Sequence, residues 1–184
     1  VLTFDDGPLP PYTNRILDTL KEHCVKAVFF MLAKNVRLHP RTARRVKREG
    51  HIIGNHSFSH QRLSELSIAK IKREIEKAEK VYMDILGVRP NLFRPPYGDY
   101  DRRVSKIIEE KGYKLILWDV NVEDYKSPPF DIISSGIISK TKNNNIIVLH
   151  DGSRLGNSRL QTQKALPLII KGLKKKGYTF FYYL

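Results

Sequence analysis

Short apolar runs alternate along this chain with longer stretches in which apolar residues recur every three or four positions. The short runs fit buried strands and the longer ones amphipathic helices, so the pattern predicts repeated βα units feeding a mainly parallel sheet. Candidate strands are Val1–Phe4, Ala27–Leu32, His51–Gly54, Leu92–Phe93, Lys114–Trp118, Ile146–Leu149 and Thr179–Tyr183. The clearest helix runs from Ser67, an N-cap residue type, to Leu86. It carries Ile68, Ile71, Ile75, Ala78, Tyr82 and Ile85 on one face and ends at Gly87. Further helices are predicted at Asn14–His23, Pro40–Glu49, Asp101–Lys111, Asp131–Lys140 and Gln163–Lys176.

The architecture that fits is a distorted (β/α) barrel of about seven parallel strands, irregular because seven falls short of the usual eight. An open doubly wound sheet is the competing arrangement. No Gly-x-Gly-x-x-Gly follows a candidate strand, which disfavours a dinucleotide site. The 184 residues fit a single domain, 1–184. The chain opens inside a candidate strand with neither an initiator Met nor a leader, so it reads as a domain excised from a longer protein.

Composition narrows the chemistry. Apolar residues at 41% and charged residues at 28% describe an ordinary globular chain. The single cysteine, Cys24, rules out a disulfide framework and a cysteine-based metal site, so any metal must use histidines and carboxylates. Runs such as 27–33 and 146–149 are too short to span a bilayer. The net charge of +14 favours anionic partners, but the basic residues are spread over several helical stretches. Solvated helix faces describe them better than a nucleic-acid surface.

Five clusters carry chemistry. Asp5-Asp6-Gly7-Pro8 follows the first strand. Neighbouring carboxylates repel unless a cation neutralises them or one takes a proton, although an Asp-Asp-Gly turn with a helix-capping carboxylate is the simpler alternative. His56 and His60 follow the third strand, four residues apart, and either share a helical face or are aimed inward by a tight turn. Ordinary hydrogen-bonded histidines are the alternative there. Arg94-Pro95-Pro96-Tyr97-Gly98, Asp119 to Tyr125 and His150-Asp151-Gly152 follow the next three strands. All five lie beyond the C-terminal ends of strands, where barrel enzymes build their sites.

These motifs give the chain a specific resemblance. Thr-Phe-Asp-Asp-Gly at 3–7, His-Ser-x-x-His at 56–60, Arg-Pro-Pro-Tyr-Gly at 94–98, an Asp-x-x-Asp-Trp-like segment at 121–125 and a Leu-x-His-like segment at 148–150 stand in order. The chain resembles, over nearly all its length, the NodB-type polysaccharide deacetylases of carbohydrate esterase family 4. That family's fold is a distorted (β/α) barrel. The resemblance implies that Asp6, His56 and His60 bind one divalent metal ion, zinc before cobalt, nickel or manganese, while Asp5 is the general base. It implies that Arg94 orients Asp5, that the Tyr97 backbone N–H stabilises an oxyanion, and that His150 is the general acid, charged and oriented by Asp124.

Two residues depart from the fourth motif: Asn121 replaces its usual first aspartate and Tyr125 its tryptophan. Val148 replaces the leucine of the fifth. Tyr125 and Val148 are therefore expected beside the substrate's acetyl group in a reshaped pocket. Trp118, Tyr100 and the aromatics of 180–183 are expected to be core or strand-end residues rather than sugar platforms. The implied reaction is hydrolysis of the acetamide of N-acetylglucosamine units in peptidoglycan, chitin or a chito-oligosaccharide, with a secreted or cell-surface location. An O-acetyl xylan esterase, another acyl-amide hydrolase and a catalytically silent carbohydrate-binding domain are the alternatives; nucleic acid is not an expected partner.

Overall fold

Six parallel strands form one sheet in the computed structural model, which describes residues 1–153 and 157–181. β1 (Leu2–Asp5), β2 (Val28–Met31), β3 (Ile52–Asn55), β4 (Leu92–Phe93), β5 (Lys114–Leu115) and β6 (Ile147–His150) stand in the order β5-β4-β3-β2-β1-β6. Parallel neighbours need a crossover, and helices supply it. α1 (Tyr12–Glu22) joins β1 to β2; α2 (Ala33–Leu38) and α3 (Pro40–Arg48) join β2 to β3. α4 (Ile68–Leu86), α5 (Arg102–Glu110) and α6 (Phe130–Lys140) serve the later strands, and α7 (Leu160–Lys175) follows β6.

Side chains alternate across each strand, so the sheet has two apolar faces. Leu2, Phe4, Phe29, Met31, Ile147 and Leu149 belong to the core shared with the helices, while Phe93 packs with α4 and α5 residues such as Ile75 and Ile108. The inner face starts apolar, with Val28, Phe30, Leu92 and Ile116 packed together beside Val1, Ile52 and Ile146. Further along the same face stand Thr3, Asp5, Arg94, Val148 and His150. The interior is thus an apolar floor with a polar rim at the strands' C-terminal ends.

One segment draws the two edges of the sheet together. Lys114 and Leu115 pair with β4, and the Ile116 N–H donates to Phe93 O at 2.9 Å. By Val120 the chain has crossed to the other edge, bridging Ile147 of β6. The sheet therefore curls into an incomplete barrel. The predicted fold class forms, with six strands among the described residues rather than about seven. Thr179–Phe181 is irregular, and Tyr182 and Tyr183 lie outside the described residues.

The predicted helices form, with their ends shifted by at most three residues. α4 ends at Gly87, whose φ of 60° is the left-handed cap a glycine tolerates best. Its Ser67 N-cap makes no side-chain hydrogen bond, and Ile68, placed on the buried face by its spacing, is exposed. The last carbonyls of α4 accept from α3: Lys47 Nζ reaches Leu86 O at 2.6 Å and Arg44 Nε reaches Ile85 O at 3.2 Å. Part of the basic stretch on α3 is accordingly a helix cap. α2 was hidden in the sequence, because the apolar run 27–33 continues from strand into helix without a break.

At Gly54 the barrel wall admits no side chain, since a Cβ there would lie 2.3 Å from Phe30 Cδ1. Phe30 has no room to yield, being fully buried with the Arg94 guanidinium 4.1 Å above its ring. Gly54→Ala is expected to lose about 2 kcal/mol through overpacking, measured as a lower urea midpoint with an unchanged m-value.

Candidate active site

The rim of the barrel brings the predicted residues together. Asp5 is the last residue of β1 and is the register partner of His150 at the end of β6, so β-sheet pairing alone sets these two side by side. Asp6 then turns away with φ 71°. Two glycines permit this crowding. A Cβ at Gly7 would lie 2.1 Å from Asp151 Oδ2, and one at Gly152 would lie 2.1 Å from Asp6 O. α2 secures the turn from the other side, with Asn35 Nδ2 donating to Asp6 O at 2.7 Å and Leu32 N to Gly7 O at 2.9 Å.

His56 and His60 lie on a turn after β3, not on a helix, which decides between the two placements their spacing allowed. Asn55 Oδ1 accepts the Ser57 N–H, Ser57 Oγ accepts the His60 N–H, and Glu74 Oε2 accepts both the N–H and the hydroxyl of Ser59. The first N–H groups of α2 donate to Ser57 O and Phe58 O. Ser57 and His60 have φ near 69° and 64°, Tyr97 63°, and Glu123 and Ser127 52° and 58° around Asp124. Such strained backbone persists only where its surroundings enforce it, and here it gathers on the loops that carry the site.

Asp6 Oδ1 lies 3.5 Å from His56 Nε2 and 3.2 Å from His60 Nε2, and all three residues are buried. Burial alone would raise the Asp6 pKa, but the two imidazoles outweigh it and hold the carboxyl well below the usual carboxylate range. His56 Nδ1 is 2.7 Å from Arg94 O, an acceptor, so Nδ1 carries a proton and Nε2 faces Asp6. Without a metal, protons on the imidazoles offset the Asp6 charge; once the imidazoles are neutral, three lone pairs converge on this buried space and repel unless a cation lies between them. The donor set therefore fits a metal ion, and it forms a potential metal site.

Arg94 is completely buried inside the barrel. Nη1 donates to Asp5 Oδ1 and to Thr3 Oγ1, both at 2.7 Å; Nε and Nη2 donate to Ile116 O and Leu117 O at 3.3 and 2.9 Å. Burial lowers the Arg94 pKa and Asp5 works against that. Across the rim, His150 Nδ1 lies 2.7 Å from Asp124 Oδ1, while Asp124 Oδ2 accepts from the His150 backbone N–H and the Thr162 hydroxyl. Burial opposes a charge on His150, but Asp124, with Asp6 and Asp5 behind it, pushes its pKa up to about 9.

Asp5, Asp6, His56, His60, Tyr97, Tyr125, Val148 and His150 line one cavity of about 490 Å³, whereas Arg94 and Asp124 stand behind it. Tyr125 sets its ring edge against His150 at 5.3 Å. Sequence reasoning missed several neighbours. Trp118, expected to be core, lines the cavity and packs on Gly98; Arg62 and Arg159 line it too. Asp151 packs against Gly7, fully buried, accepting from Thr13 Oγ1 at 2.6 Å; burial pushes its pKa up to about 7. No pattern marks Thr162 or Thr13, which act through tertiary contacts; Asp151 was visible beside His150 but without a role.

Residues 1–116 match the family model described as polysaccharide deacetylase. The chain belongs to the polysaccharide deacetylase family. It is 38% identical over 97% of its length to a Bacillus cereus peptidoglycan-N-acetylglucosamine deacetylase, covering 83% of that relative. It is 36% identical to the Listeria monocytogenes peptidoglycan-N-acetylglucosamine deacetylase PgdA, also over 97% of its length, but spans only 36% of that longer protein. Its fold superposes with a TM-score of 0.94 on the crystal structure of the Bc1960 peptidoglycan N-acetylglucosamine deacetylase bound to an N-hydroxybenzamide. The match is 34% identical over 99% of this chain and 84% of the other. It also superposes, at 29% identity and TM-score 0.89 over 97% of this chain and 61% of the other, on BA3943 from Bacillus anthracis, described as a pseudoenzyme of carbohydrate esterase family 4. The matched residues include the first three of the five motif-bearing loops.

In the metal-free protein, the His150 imidazole is expected to titrate near pH 9 by NMR, and Asp124→Asn to bring it back toward ordinary values. The sign for stability follows from the raised folded pKa. His150 stabilises the fold fully below the ordinary imidazole pKa of about 6.5, and this contribution is lost as pH rises through about 9. Asp124→Asn should flatten that loss in urea midpoints measured from pH 6 to 10.

Proposed function

We propose that this chain hydrolyses the acetamide of N-acetylglucosamine units in a polysaccharide, releasing acetate, with one divalent metal ion held by Asp6, His56 and His60. The observation that carries the reading is the pairing across the rim. A buried carboxylate on Arg94 and an imidazole on Asp124 are register partners on β1 and β6, next to a three-residue metal donor set. Two imidazoles and one carboxylate suit zinc first, then cobalt, nickel or manganese. The metal, when bound, would lower the pKa of a water and polarise the acyl carbonyl.

Each protein group then has a defined task. Arg94 holds Asp5 in one orientation and balances its charge, so Asp5 is placed to take a proton from the attacking water. The Tyr97 backbone N–H follows Pro95 and Pro96, neither of which has a donor, and serves the oxyanion. An amine leaves poorly as an anion, so His150, kept protonated by Asp124, delivers a proton to the departing sugar nitrogen. Tyr125 and Val148 flank the acetyl group, and Trp118 lines the same cavity.

Peptidoglycan, chitin and chito-oligosaccharides are the substrates this reading favours, and a secreted or cell-surface location accords with such polymers. The likeness to a pseudoenzyme raises a second reading, glycan binding without turnover. Here Asp5, Asp6, His56, His60 and His150 all line one cavity, which supports chemistry.

Stripping and restoring divalent metal while measuring acetate from N-acetylglucosamine oligomers tests the proposal. Release is expected only with metal, and binding without release would favour the silent module. Asp5→Asn should keep metal affinity within about twofold yet lower kcat by about 10²- to 10⁴-fold, the range for losing a general base. Parallel assays on O-acetylated xylan separate an amidase from an esterase.

A further inference from the structure

Two arginines to which the proposed reaction gives no task line the catalytic cavity. Of its carboxylates, Asp5 is paired with Arg94 and Asp6 belongs to the metal set, while Arg62 and Arg159 line the walls. Arg159 is buried and donates only to carbonyls, those of Gly152, Tyr125 and Ser158; no carboxylate lies within salt-bridge distance of it among the described residues. Its bonds tie together the loops that carry His150 and Asp124, which accounts for its burial.

Arg62 differs. It lies two residues after His60 with its guanidinium over the Tyr97 ring at 4.3 Å, and the edge of that ring meets the His60 ring at 4.5 Å. The cation is therefore held in a fixed plane one aromatic ring away from the metal donor set. Its one hydrogen bond is a long one, Nη1 to Asp99 Oδ2 at 3.3 Å, and that oxygen already accepts from Ser64 at 2.6 Å. Glu65 stands 3.9 Å from Nε, too far for a hydrogen bond. Nearly half of the side chain is exposed, so its ion pairs with Asp99 at 3.3 Å and Glu65 at 3.9 Å are solvent-screened and weak.

We propose that Arg62 is a specificity-determining residue that receives a carboxylate carried by the glycan beside the acetamide being cleaved, so that an acid-bearing polymer is preferred to a neutral one. This rests on the deacetylase reading of the same cavity. Guanidinium is suited to planar, two-pronged recognition of a carboxylate, and the chain's net charge of +14 would draw an anionic polymer toward the cavity.

The test compares two tetrasaccharides of equal length on the metal-loaded protein: one of N-acetylglucosamine alone, and one alternating N-acetylglucosamine with its lactyl-ether acid derivative. Wild type is expected to show a higher kcat/KM on the acidic one, with the advantage shrinking as salt rises. Arg62→Gln should lower kcat/KM on the acidic substrate about fivefold or more while leaving the neutral one within about twofold, and Arg62→Lys should keep part of the preference. Equal losses on both substrates, or no wild-type preference, would overturn the assignment. If neither substrate is hydrolysed, the deacetylase reading fails separately. Calorimetric binding of the two sugars to wild type and Arg62→Gln then decides the Arg62 assignment by the same ratio.

Discussion

The buried pair between Arg94 and Asp5 is the constraint on which the barrel and its site both depend. Arg94 reaches from β4 to Thr3 and Asp5 on β1, and to the carbonyls of Ile116 and Leu117 where the chain leaves β5 for β6. Those carbonyls have left the regular ladder, and a buried carbonyl without a donor costs about as much as a lost hydrogen bond. The guanidinium satisfies them, so the same side chain that orients Asp5 also supports the segment drawing the edges of the sheet together. Removing one member of such a pair leaves the other buried and unmatched, at a cost of about 3–5 kcal/mol.

From that pair the roles at the rim separate. Asp5 is occupied by Arg94 on its inner side, and Asp6, turned by its positive φ, faces the two histidines. Adjacent carboxylates in sequence thus face different partners because the backbone reverses between them. On the opposite wall, Asp124 is the mirror case: its negative charge keeps His150 protonated, while Thr162 and the His150 N–H hold the carboxylate still. In the proposed reaction, a carboxylate beside a cation takes a proton and an imidazole beside an anion gives one.

Much of this was legible in the sequence because parallel strands end where chemistry begins. Five short apolar runs, each followed by polar residues of distinctive type, located the loops, and their order carried the family resemblance. What the sequence concealed was tertiary. α2 lies inside an apolar run that reads as strand, although its N-terminus braces the histidine turn. Trp118 reads as core because only the closing of the barrel brings it to the cavity, and Thr162 or Asp151 acquires meaning only through its neighbours. The predicted seventh strand over 179–183 was read from β-prone residues, yet Thr179–Phe181 finds no sheet edge to join.

The central claim is that the two aspartates divide the work, with Asp6 on the metal and Asp5 on Arg94. Anomalous diffraction from crystals of the protein grown with zinc tests it most directly. A single peak is expected about 2.0–2.2 Å from one Asp6 oxygen and the Nε2 atoms of His56 and His60, with Asp5 still hydrogen-bonded to Arg94. A peak bounded by Asp5, or none at this site at saturating zinc, would contradict the account.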